Sequence, residues 1–239
     1  MEKKRVFVFR ILMTILFSGA VLAAFFYSIF GEFSPDMKVR PEYLAYACPC
    51  LCFLFSLLFI RKDTKKLFLT LALAVTVAAD YFLLLSAPTE NNNFIGVCIF
   101  CGVQFVYFVY TLFLNQSIGT RIFNIATRVA LCLVAYFVLP MYLTLGTIEL
   151  IALMYIINFF VSLLVMFVHI KTEWLTLLGY FVFFVSDIFV GLQNGGAAMI
   201  GITGPFLEFV QNFDIAFYTY IPSQLIIAIS SVWAKKKEN

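Results

Sequence analysis

Two aspartates stand inside stretches that otherwise carry no charge: Asp80 in LALAVTVAADYFLLL and Asp187 in FVFFVSDIFVGL. The chain has 13 acidic residues, and the others fall in loops, tails or the ends of apolar runs. An aspartate at the centre of a membrane helix costs about 2.5–3.5 kcal/mol on insertion scales, so a bundle that only has to pack gains by avoiding two. Two carboxyl groups away from water suit acid–base chemistry. One can hold a proton while the other is ionised, giving a general acid and a general base at one place. Amides and hydroxyls recur at comparable depth: Gln104, Tyr107, Asn158, Ser186, Tyr220 and Gln224. Such groups in membrane helices often serve packing alone. The amides of Gln104 and Gln224 do not titrate, so their chemical use is to orient water or a carboxyl group.

The elements that must position these residues are membrane spans. The chain of 239 residues is 63% hydrophobic and 12% charged, with a mean hydropathy of +1.00. A soluble globular chain is nearer 45–50% apolar and about 25% charged. Apolar runs of about 20 residues, each long enough to cross a bilayer as a helix, recur along residues 11–30, 43–60, 67–86, 94–114, 124–145, 149–168, 174–193 and 214–233. The expected fold is therefore all-α: a polytopic transmembrane helical bundle of about eight spans, forming one domain over residues 1–239. Basic residues cluster before span one, after span two, at the start of span five, after span six and at the C-terminus, while only Lys38 and Arg40 fall on the opposite side. The positive-inside rule puts both termini in the cytoplasm, in a multi-pass protein of the cell membrane. The net charge of +3 expresses this asymmetry and not a nucleic-acid patch. The first 25 residues also have the layout of a signal peptide; a retained first span is the favoured reading.

Spans three and seven run in the same direction, and each aspartate lies about 20 Å along its span at 1.5 Å per residue. The two carboxyl groups can therefore meet across the bundle. They also occupy the third span of each half of the chain, and AADYF echoes VSDIF, which hints at a duplicated four-span unit. Arg128, in the first turns of span five, is expected to snorkel to the headgroups. Residues 194–213, broken by Gly195, Gly196, Gly201, Gly204 and Pro205, are expected to form an irregular segment at or dipping into the interface. The six cysteines, Cys98 and Cys101 of a CxxC included, read as small buried apolar residues. His169, the one histidine, falls at the end of span six and reads as interfacial. Arg40 is the leading contact for a headgroup phosphate, because its forked donor matches phosphate oxygens better than Lys38 does.

Several of these stretches resemble the signatures of the YhhN / lysoplasmalogenase family. Ala79-Asp80 followed by aliphatics is similar to the family's GDxxL, with Ala where Gly is usual. Ser186-Asp187 followed by IFVGLQN is similar to its SD signature, Tyr220-Ile-Pro-Ser-Gln224-Leu-Ile-Ile-Ala to its YxxxQLLIA, and Arg40-Pro41 to its Lys-Pro. The family often has His-x-x-Tyr in span four, where this chain has Gln104-x-x-Tyr107. The resemblance implies hydrolysis of the vinyl ether bond of a lysoplasmalogen, a lysophospholipid, to a fatty aldehyde and a glycerophospho-alcohol, with Asp80 and Asp187 as the catalytic pair. Protonation of the β-carbon gives an oxocarbenium ion that water captures, so one acid and one carboxylate suffice. The apolar neighbours Phe183, Phe184, Ile188 and Phe189 lean towards Asp187 as the acid; the assignment otherwise stays open. No cofactor is implied, and no metal, since two carboxylates without histidines make a poor protein cage. A proton-coupled transporter or a non-catalytic membrane assembly protein are the alternatives. The headgroup preference and oligomeric state are not legible.

Overall fold

The computed structural model describes residues 2–30, 41–60, 64–86, 89–114, 117–142, 146–193 and 203–233. Among these residues the fold is helical, without a strand: α1 (Glu2–Phe30), α2 (Pro41–Leu58), α3 (Thr64–Asp80), α4 (Glu90–Leu112), α5 (Ile118–Phe137), α6 (Thr147–Val168), α7 (Ile170–Gly191), α8 (Pro205–Asn212) and α9 (Ile215–Trp233). Seven are long and apolar enough to cross a membrane, and the apolar part of α2, Ala45–Leu58, is shorter. The chain is a polytopic membrane protein. Arg40 and Lys38 lie outside the described residues.

Local chemistry sets where the helices start and stop. The side chain of Thr89 caps α4 by accepting from the Asn92 N–H, and that of Ser117 caps α5 by accepting from the Thr120 N–H. Each cap satisfies an orphan donor of the first turn, so both helices begin in the polar stretches between apolar runs. At its other end α5 stops at Phe137, and Leu139–Met141 form a 3₁₀ turn around Pro140, which cannot donate to a continuing helix. Span five is thus shifted towards its N-terminus relative to 124–145. One residue, His169, separates α6 from α7. The broken stretch after Gln193 is not irregular throughout: Gly204, at φ 79°, and Pro205 start the short helix α8. The left-handed φ suits glycine, and Pro at the first helical position costs no hydrogen bond.

Six helices form a closed ring in the order α2, α3, α4, α6, α7, α9, and back to α2. Helix α1 packs outside α2, and α5 outside α6. Moving four spans along the chain turns the contacts α1–α2, α2–α3, α3–α4 and α4–α6 into α5–α6, α6–α7, α7–α9 and α9–α2, all of which occur. The neighbour pattern therefore repeats in the two halves. Trp233, at the end of α9, donates to Thr14 Oγ1 at 3.1 Å and meets Phe7 edge-on at 5.8 Å. The two ends of the described chain thus share one face.

The most extensively packed helix pair is α7 against α9, and Gly179 lets the two approach. A Cβ there would lie 2.9 Å from Ile227 Cγ1 and 3.0 Å from the Ile227 backbone nitrogen. Small residues allow such approach between membrane helices, where packing replaces the hydrophobic drive. Gly179→Val is expected to force the pair apart at a cost of about 1–3 kcal/mol. A melt of the detergent-solubilised protein should show a lower transition temperature, and an unchanged one would mean that the pair relaxes freely.

Candidate functional site

Asp80 is the last residue of α3 before the chain passes into a π-helical turn at Tyr81–Leu85. Asp187 lies in the last part of α7, which also closes in π geometry at residues 192–193. π turns recur at functional positions in helices because the inserted residue re-aims side chains. Both aspartates lie roughly 25 Å from the start of their helix at 1.5 Å per residue, so they share one layer of the bundle. Asp80 is buried and Asp187 half-buried. Each carboxyl group accepts from a tyrosine of another helix: Tyr220 of α9 donates to Asp80 Oδ2, and Tyr155 of α6 donates to Asp187 Oδ2. Asp187 lies within electrostatic reach of Asp80, and Tyr220 is within electrostatic reach of both. Tyr46 and Cys50 of α2 stand in the same relation to Asp80.

Apolar rings back this layer. Phe183, one turn before Asp187, is fully buried, with ring centroids 5.9 Å from Tyr220 and 5.1 Å from Phe159. Tyr155 sits 5.8 Å from Phe159 and 6.3 Å from Phe100. The carboxyl groups thus have one fixed donor each and aromatic walls. That combination limits their freedom and strengthens electrostatic effects between them.

Below this layer lies Gln104, whose Oε1 accepts from Tyr180 Oη at 2.5 Å. The Gln104 amide nitrogen is buried and has no hydrogen-bond partner among the described residues. A buried, unused donor costs about 1–3 kcal/mol, so this amide is available to a water or a ligand group. Tyr107 packs against Tyr180 with centroids 4.4 Å apart and is within electrostatic reach of Asp187. Gln224 is buried, with its Nε2 at 3.5 Å from Ser223 Oγ. Ser186 donates to the Ala216 backbone oxygen at 2.8 Å, which ties α7 to α9. Asn158 turns to Arg128.

Arg128 corrects the sequence reading. It does not snorkel: it is 5% exposed and points between α4 and α6. The cause is the early start of α5, which moves Arg128 from the first turns to the middle of the helix. Two further polar clusters brace the face that carries the chain ends. Glu173 accepts from Lys65 Nζ and from Tyr110 Oη, both at 2.6 Å, joining α3, α4 and α7. Ser56 bonds Thr70 at 2.5 Å and Ser231 at 2.7 Å, joining α2, α3 and α9. Tyr155 was not singled out from the sequence. Its available signal is the spacing in Tyr155-Ile-Ile-Asn158, which puts two polar tips near one face of an apolar helix.

Fold and site together define a multi-pass membrane protein with a carboxyl pair embedded in a ring of helices. Residues 42–231 match the profile of the YhhN family, and the chain belongs to that family. No curated protein and no solved structure matches it.

Proposed function

We propose that the protein hydrolyses the vinyl ether bond of lysoplasmalogens, with Asp80 and Asp187 as its acid–base pair. The observation that carries this reading is the pair itself: two carboxyl groups at one depth of the bundle, each held by a tyrosine hydroxyl from a different helix. In the proposed reaction, one carboxyl group gives its proton to the β-carbon of the vinyl ether. The resulting oxocarbenium ion is steadied by the other carboxylate, which then takes a proton from the attacking water. The hemiacetal so formed splits into a fatty aldehyde and the glycerophospho-alcohol. One water is consumed and the carboxyl pair ends with the proton it began with. The tyrosines fix the orientation of both groups, and the Gln104 amide offers a donor for the water. The membrane setting suits a substrate whose chain stays in hydrocarbon while its headgroup stays near the interface.

The test is release of aldehyde from a 1-alkenyl lysophospholipid by the purified, full-length protein in detergent. The 1-alkyl ether of the same headgroup, which cannot form the cation, is expected to be inert. A folded protein that releases no aldehyde would overturn the proposal. Uptake into liposomes without aldehyde release would favour the transporter reading.

A further inference from the structure

Arg128 lies about 15 Å along α5 from its first residue, halfway through a helix of 20 residues. Its guanidinium is committed to neutral acceptors. Nε donates to Asn124 Oδ1 at 3.0 Å, Nη1 to the backbone oxygen of Asn158 at 2.8 Å and to its Oδ1 at 2.5 Å, and Nη2 to Ser162 Oγ at 2.9 Å. The ring of Phe108 lies 4.7 Å from its central carbon. These bonds occupy four of the five N–H donors of an arginine. Among the described residues no carboxylate comes within ion-pair distance of it; the described ion pair is Lys65–Glu173, at the helix ends. A full charge in hydrocarbon surrounded by dipoles alone is strongly unfavourable, and charged residues within spans normally face a partner or a polar path.

The surroundings supply room for a partner. A groove of about 420 Å³ runs between α4, α5 and α6 and opens to the outside of the bundle. Its walls are apolar, with Phe105, Val129, Leu133, Tyr136 and Met154 among them, and Arg128 and Asn158 form its polar part. Neither aspartate, nor Tyr155, nor Tyr220 lines the groove.

We infer that this groove binds a free fatty acid as its carboxylate, with the head on Arg128 and the chain along the apolar walls. Three features select this ligand. Arg128 offers a full positive charge with no carboxylate partner among the described residues and one uncommitted N–H, which a carboxylate oxygen can accept. At roughly 30 Å³ for each water-sized group, the groove holds about 14 groups, enough for a carboxylate head and most of one alkyl chain, with the rest of the chain in the surrounding lipid. A fatty acid gives its proton to water at the interface and brings one negative charge, which the fixed cation balances at mid-span, whereas a lipid phosphate monoester brings about −1.5 to −2 and would leave charge uncompensated there. The inference does not depend on the vinyl ether reading.

The test uses full-length protein in phosphatidylcholine nanodiscs, with the unfolding temperature measured against added oleate, oleyl alcohol and oleoyl lysophosphatidate. Oleate at about 100 times its dissociation constant should raise the transition by roughly 5 °C, and oleyl alcohol should not. Arg128→Gln should remove the shift. Cys132→Phe, on the groove wall, leaves the guanidinium's bonds in place and should reduce it, so this variant carries the test if Arg128→Gln does not fold. Equal stabilisation by oleyl alcohol, or a full oleate shift in either variant, overturns the assignment. Stabilisation by lysophosphatidate but not oleate overturns it in favour of a phosphate. No shift with any of the three means that Arg128 only braces α5, and overturns it as well.

Discussion

Asp80→Asn and Asp187→Asn are each expected to reduce vinyl ether hydrolysis by about 10³-fold or more while the protein still inserts and folds. Positioned proton transfer contributes about 10²–10⁴-fold in enzymes, and here each carboxyl group has a distinct part in one transfer sequence. Asparagine keeps the size of the side chain, and the new amide oxygen still accepts from Tyr220 or Tyr155. The bonds that each carboxyl group makes to a neighbouring helix therefore survive, and only proton exchange is lost. The double variant should be little slower than either single one, because groups that act as a unit lose their effect together. The measurement is aldehyde release per folded molecule, with folding judged by size exclusion and thermal melting. Near-normal turnover in either single variant would remove that aspartate from the chemistry. Failure of both to fold would assign the pair to structure instead.

Tyr155→Phe and Tyr220→Phe are expected to slow turnover by about 10²-fold each with little change in KM. The substitution removes one hydroxyl and leaves the ring, so the contacts of Tyr220 with Phe183 at 5.9 Å and of Tyr155 with Phe159 at 5.8 Å persist. Loss of one preorganised donor costs about 10²–10³-fold where it acts on developing charge, and a fall in kcat at constant KM marks an interaction made in the transition state. Ser186→Ala is the control. It breaks a hydrogen bond between α7 and α9 of ordinary length, 2.8 Å, but touches neither carboxyl group, so it should lower stability by about 1 kcal/mol and leave kcat alone. If the tyrosine variants behave like Ser186→Ala, the tyrosines only hold helices together.

The sequence by itself determined the class of structure and the layer of the two acids. Hydropathy identifies spans because a helix satisfies its own backbone in lipid, and a fixed rise of 1.5 Å per residue turns position along a span into depth. Asp80 and Asp187 therefore read as level before any packing is known, and their helices start close to where the apolar runs do. Helix ends were less legible, since caps such as Ser117 lie inside polar stretches that look like loops; that shift of one helix carried Arg128 from the interface to the interior. Which polar groups meet was decided by the tertiary structure alone. In a soluble helix an apolar stripe marks the buried face, but in a span both faces are apolar, so periodicity does not say which side meets lipid and which meets protein. Tyr155 against Asp187, Asn158 against Arg128 and Tyr110 against Glu173 follow from the rotation of each helix within the ring. That rotation is set by close packing at positions such as Gly179, where Ile227 stands so near that a Cβ would require one of the helices to shift.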